Sequence, residues 1–143
     1  MKTCTFFGHR DCPESLLTDL RQVLRALICR YDVQVFLVGE QGTFDYLVLR
    51  ALHELEREYP YIQVNTVLAY FPRGKKHGNY LLPEGMENVP PRFAIDRRNK
   101  WMIAKADYAV CYVQRNWGGA AKYMEIALRQ KKTVINLFRT NLE

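Results

Sequence analysis

Seven consecutive residues, Gly39-Glu40-Gln41-Gly42-Thr43-Phe44-Asp45, follow directly on the apolar run Val33 to Val38 and lead into a helical pattern. A strand that stops at a glycine and feeds a helix presents unpaired backbone N–H groups, and the positive end of the helix dipole, to whatever lies above the turn. Phosphate is the usual occupant of such a place. Gly39 and Gly42 allow close backbone approach or positive φ, and Thr43 can cap the helix or donate its hydroxyl to an anion. Asp45, in the first helical turn, can stabilise the dipole, bind ribose hydroxyls or act as a base. Two other turns share this character, Gly8-His9-Arg10 and Asn116-Trp117-Gly118-Gly119-Ala120-Ala121. Arg10 suits a bidentate contact to phosphate or a place at the surface. His9 can cap a helix or bond to a backbone carbonyl, Trp117 can stack on a base or pack, and Glu125 has the same options as Asp45.

The elements that position these turns are legible from hydrophobic period. Thr3 to Phe7 reads as a first strand, closed by Gly8. Pro13 and Glu14 open a helix to about Arg30, with Leu16, Leu17, Leu20, Val23, Leu24, Leu27 and Ile28 at spacings of three and four. Val33 to Val38, apolar at five of six positions, suits a strand covered on both faces, as in a parallel sheet. A second helix runs from Thr43 to about Tyr59 and stops at Pro60, and Ile62 to Phe71 reads as the third strand. Residues 72 to 93, rich in glycine and proline, read as a long loop of the kind often used as a lid or left as a surface excursion. Ala94 to Ala106 reads as a third helix, its polar start with Arg98 and Asn99 near the ligand edge. Asp107 to Val113 is a fourth strand, Gly119 to Arg129 a fourth helix and Thr133 to Leu137 a fifth strand. The alternation predicts one α/β domain over residues 1–143, Rossmann-like, with helices on both faces of a largely parallel sheet of about five strands. Ligands bind such sheets beyond the carboxyl ends of the strands, where strand order reverses, so all three turns are expected at one edge.

Composition narrows the partner. At 143 residues the chain is long enough to bury roughly two-thirds of its unfolded surface without disulfides. Cys4, Cys12, Cys29 and Cys111 are scattered with no CxxC, and His53 and His77 have no partner spacing that suggests metal, so neither a metal site nor a disulfide framework is expected. Cys4, Cys29 and Cys111 lie in apolar runs and are expected to be buried, with Cys12 beside Pro13 the exposed one. With no secretory or transmembrane pattern, the expectation is a soluble cytoplasmic protein without a membrane partner. A formal charge of +6 and a pI near 9.2 suit an anionic ligand. The basic stretches at Arg73 to His77 and Arg97 to Lys100 are short and not interleaved with aromatics, which ranks nucleic acid behind a nucleotide or phosphorylated metabolite.

Taken together, Phe7-Gly8-His9-Arg10, Gly39 to Asp45, Arg98-Asn99-Lys100-Trp101-Met102, Ala106-Asp107 and Trp117-Gly118-Gly119-Ala120 resemble the SLOG superfamily, Rossmann-like proteins related to the DNA-processing protein DprA and the LOG enzymes. The resemblance is nearest to the small YpsA-like branch and spans nearly the whole chain. It implies a nucleotide-type ligand such as NAD, ADP-ribose or a nucleoside phosphate, held over the glycine turns with no further cofactor, and a homodimer by analogy. LOG enzymes hydrolyse the N-glycosidic bond of nucleoside monophosphates through a phosphate loop and a glutamate three residues after its threonine. Here Glu40 stands at a glycine position of that loop and Tyr46 at the glutamate. Asp45 is one residue away, about 100° around a helix. Binding or sensing of a nucleotide-derived ligand therefore leads, an N-glycosidase using Asp45 or Glu125 follows, and a DprA-like single-strand binder is third.

Overall fold

The computed structural model describes residues 1–71 and 78–138. Six strands form one all-parallel sheet: β1 (Lys2–Gly8), β2 (Val33–Val38), β3 (Gln63–Val67), β4 (Tyr80–Leu81), β5 (Tyr108–Tyr112) and β6 (Thr133–Asn136). Their order across the sheet is β4-β3-β2-β1-β5-β6. The helices are α1 (Leu16–Arg30), α2 (Gly42–Glu58), α3 (Pro91–Lys105) and α4 (Gly119–Arg129). This is the expected Rossmann-like fold with one strand more than the sequence predicts.

Alternation along the strands sorts the core into two layers. Cys4 and Phe6 of β1 and Phe36 and Val38 of β2 face α1 and α2, whose buried Leu20, Leu24, Leu27, Phe44, Leu47 and Leu52 complete that side. Phe7, Leu37, Ala109 and Cys111 face the other way, onto Met102 and Ile103 of α3 and Tyr123 and Ala127 of α4. Thr5, fully buried on that face, satisfies its hydroxyl by donating to the Leu37 carbonyl at 3.0 Å. Outside the core, α1 and α2 are tied by a two-pronged Arg21–Glu54 pair, Nε to Oε2 at 2.7 Å and Nη2 to Oε1 at 3.0 Å.

Corrections fall where pattern is short. The third strand ends at Val67 rather than Phe71, because Ala69 leaves the sheet to pack with Met86 and Ala94 in a small satellite cluster. The predicted loop at 72–93 contains β4, which adds to β3 by Thr66↔Tyr80 and Val67↔Leu81, then a single 3₁₀ turn at Met86–Asn88 and the start of α3. Pro91 at the first helical position starts α3 three residues before the expected Ala94. Residues 72–77, including Arg73 and His77, lie outside the described residues. Cys29 is exposed, not buried, because it ends α1 on its outer side near the Tyr59 hydroxyl, and Cys12 is half-buried rather than exposed. Among the described residues no helix is long and apolar enough to cross a membrane.

Candidate functional site

The chain fills the sheet outward from β1 through β2 and β3 to β4, then returns through α3 to place β5 on the other side of β1. Strand order reverses between β1 and β5, and a cleft of about 440 Å³ opens there beyond their carboxyl ends. The β1 turn gives it Gly8, His9, Arg10 and Asp11, the β2 turn and α2 give Gln41 and Asp45, and α3 gives Ile95, Arg98, Asn99 and Met102. The far wall is Arg115, Gly119, Ala120 and Tyr123, from the turn after β5 and from α4. The size is within the range of pockets that hold small ligands.

The glycines divide into two kinds. A Cβ on Gly8 would fall 2.2 Å from Cγ of Phe44, one on Gly42 2.7 Å from Cα of Arg10, and one on Gly39 3.1 Å from Cζ of Arg98. Those three make room for the protein itself. Gly118 and Gly119 instead face open space, with nothing within 4 Å of an added Cβ, and Gly118 takes φ +93°. The helix ends differ in the same sense. At α2 the Gln41 N–H donates to Asp45 Oδ2 at 2.8 Å and the Thr43 N–H to the Arg10 carbonyl at 2.8 Å, while the Thr43 side chain is exposed and makes no cap. At α4 the first bond inward is from Lys122 N–H to the Gly118 carbonyl, and no acceptor among the described residues takes the N–H of Gly119, Ala120 or Ala121. Of these three, Gly119 and Ala120 line the cleft, so two free amides and the positive end of the helix dipole stand at its wall.

Charge in the cleft is set by burial. Arg98 is only 1 % exposed; its Nε donates to Asn99 Oδ1 at 2.7 Å and its Nη1 to the Val67 carbonyl at 2.8 Å. Burial lowers its pKa against the opposing pull of Asp45 and Glu40. Burial likewise pushes the Asp45 carboxyl up to about 6, partly offset by the Gln41 N–H and by Arg98. His9 is buried and accepts the Gln114 N–H at Nε2, 3.0 Å; burial first, then the Arg115 charge, hold its pKa below the ordinary value, so the ring is neutral at pH 7 and fastens the β1 turn to the β5 turn. Arg115 lies over the exposed Trp117 ring at 4.3 Å, and its buried Nε has no hydrogen-bond partner. Across the α3–α4 seam, Asp96 accepts from the Tyr123 hydroxyl at 2.7 Å and pairs with Lys100 and Lys122, each at 3.0 Å, which drives its pKa far below the carboxylate range. Burial, then Asp96, push the Tyr123 hydroxyl up to about 12.

Of the residues singled out by sequence, Gly8, His9, Arg10, Asp45, Arg98, Asn99 and Gly119 line the cleft. Gly39, Glu40 and Gly42 line a neighbouring groove of about 290 Å³ with Asp45, Tyr46, Leu49, Thr66 and Tyr80. Trp117 and Gly118 are not among the lining residues, although Trp117 stacks with Arg115, which is. Glu125 does not join them. It falls in the second turn of α4, exposed, with its carboxylate bound to Arg129 Nη2 at 2.6 Å. Sequence reasoning missed Asp11, Gln41, Arg115 and Tyr123, of which Arg115, directly before the marked turn that starts at Asn116, had the readiest signal. No group of acidic, histidine and cysteine side chains that could hold a metal exists among the described residues.

The chain matches no family model and no curated protein. Among solved structures it is similar to DNA processing protein A (DprA) from Streptococcus pneumoniae, at TM-score 0.72 and 14 % identity. The likeness covers 100 % of this chain and 52 % of that one, so the chain spans about half the length of the protein it matches, and at this identity what is shared is the Rossmann-like fold.

Proposed function

We propose that the cleft binds a nucleotide-derived ligand by its phosphate. The observation that carries this is the N-terminus of α4, where Gly119 and Ala120, whose amides have no partner among the described residues, line the same cleft as Arg10, Arg98 and Arg115. An anion placed there gains backbone donors, the dipole and guanidinium forks together. Asp45, with one carboxylate oxygen bound to the Gln41 N–H, supplies an acceptor for a sugar hydroxyl. Candidate ligands are NAD, ADP-ribose and nucleoside monophosphates. The proposal stops at binding: Tyr46 takes the place of the LOG-type glutamate, and Glu125 is outside the cleft. Calorimetry or thermal shift against these ligands tests it, with an upward shift expected for at least one and no response to any of them refuting it.

A second reading is favoured by one observation. Arg92 stacks on Phe93 at 4.7 Å and Arg115 on Trp117 at 4.3 Å, both aromatics exposed, one at the start of α3 and the other just before α4. Paired aromatic and basic groups are what single-stranded nucleic acid uses, and the fold neighbour is titled a DNA processing protein. This reading predicts binding to an oligonucleotide that weakens linearly in log salt and is lost on Trp117→Ala; binding without salt dependence would refute it.

A further inference from the structure

We propose that Arg115 is a clamp that changes pose on binding: in the free protein its guanidinium rests on the Trp117 ring, and an anion in the cleft draws it off the ring into a two-pronged grip. The inference rests on the anion binding proposed above and adds how the site closes on its ligand and what Trp117 does there. The three arginines of the cleft differ in what they already hold. Arg98 is tied by Nε to Asn99 and by Nη1 to the Val67 carbonyl, and is attracted by Asp45 and Glu40. Arg10 donates to Gln41 Oε1 at 3.4 Å. Arg115 makes no hydrogen bond or ion pair among the described residues, and its Nε is the one buried side-chain nitrogen or oxygen there without a partner.

A guanidinium N–H shut away from water and from acceptors alike has given up its hydration for nothing, which makes this pose a costly one. What holds it is the stack on Trp117 at 4.3 Å, and because that ring is 64 % exposed the stack is of the weak, solvated kind. An anion that accepts from the Nε edge satisfies the stranded N–H with a charge-assisted bond and outweighs the stack. The backbone permits the change. Val113 is fastened to the Asn136 side chain through both its N–H and its carbonyl, each at 3.0 Å, and the Gln114 N–H is held by His9 Nε2. That fastening ends one residue before Arg115. From Arg115 to Trp117 there is no backbone–backbone hydrogen bond among the described residues, and Gly118 then carries the turn into α4 at φ +93°. The Arg115 side chain can therefore pass from ring to cleft without disturbing the sheet.

The test is calorimetry and indole fluorescence with inorganic phosphate, ribose 5-phosphate and adenosine monophosphate. Trp117→Ala, at an exposed site, should tighten binding roughly two- to fivefold, the worth of an exposed cation–π contact that no longer holds Arg115 back. In an Arg115→Ala background the same substitution should change nothing, which separates this coupling from a general effect of the ring. With Trp101→Phe leaving Trp117 as the sole indole, saturation with ligand should change its emission, and the change should vanish in Arg115→Ala. Binding that is unchanged or weaker in Trp117→Ala, or an emission change that persists without Arg115, overturns the clamp and leaves the anion site standing. No binding of any of the three compounds to the wild-type protein overturns both.

Discussion

Asp45→Asn measures the balance that places a carboxylate in this cleft. Burial lifts the Asp45 pKa from 3.8 to about 6 against the combined pull of the Gln41 N–H and Arg98. That is about 2 pH units, worth about 3 kcal/mol at 1.36 kcal/mol per unit. The folded protein therefore binds this proton more tightly than the unfolded chain. The stability it contributes is full below pH 4, falls as pH rises toward 6 and is gone near pH 7. Asparagine does not titrate, so urea unfolding of wild type and variant at matched pH isolates the group from every other one that does. The stability of wild type minus that of Asp45→Asn should fall by about 3 kcal/mol between pH 4 and pH 7. A constant difference would show that Asp45 is solvated. A difference that rises with pH would show that Arg98 outweighs burial and holds the carboxylate ionised, and either result would refute the reasoning.

Gly8→Ala forces a Cβ into the Phe44 ring, where contacts of 2.2 to 2.7 Å leave no room, and should destabilise by about 2 to 3 kcal/mol in urea unfolding. Tyr123→Phe removes the hydroxyl that Asp96 accepts at 2.7 Å and should cost about 1 to 2 kcal/mol, also by urea unfolding. Because Asp96 is held well below its ordinary pKa, its contribution is present above about pH 4 and is lost as pH falls, so the cost of Tyr123→Phe should shrink in acid. Arg115→Ala should weaken an anionic nucleotide about tenfold in calorimetry, whereas Glu125→Ala, whose partner is Arg129 on the solvent face, should change affinity less than twofold.

Long periodic segments are readable from sequence because burial imposes their pattern. The leucines of α1 and the run Val33 to Val38 name their element and their layer by spacing alone. The two-residue strand Tyr80–Leu81 carries no period at all and exists only because β3 offers an open edge. In α3 the sequence places Arg98 and Asn99 near the ligand edge as the polar start of the helix; what only the fold shows is that both are buried and that Arg98 is tied to the Val67 carbonyl. The glycines are the sharpest case. Sequence marks Gly8, Gly39, Gly42, Gly118 and Gly119 alike, but what fills the space beside each is a long-range fact, and it is protein at the first three and open at the last two. Glu125 is singled out by proximity to a glycine turn, and six residues into α4 the helix has already carried it to the outer face.

The central position of β1 has a consequence for how the chain comes to be folded. Its register partners are Phe36 on one side and Tyr108 on the other for the same residue, Cys4. The second lies 104 residues further along, which takes roughly 5 to 20 s to synthesise at 5 to 20 residues per second. Within it, from the end of β3 at Val67 to the end of α3 at Lys105, 38 residues or roughly 2 to 8 s, a half-sheet of β1, β2 and β3 with α1 and α2 can form while Phe7 and Leu37 have neither α3 nor α4 over them. The face that later builds the cleft is thus an exposed apolar surface on the nascent chain, and its protection depends on α3, β5 and α4 arriving before another chain does.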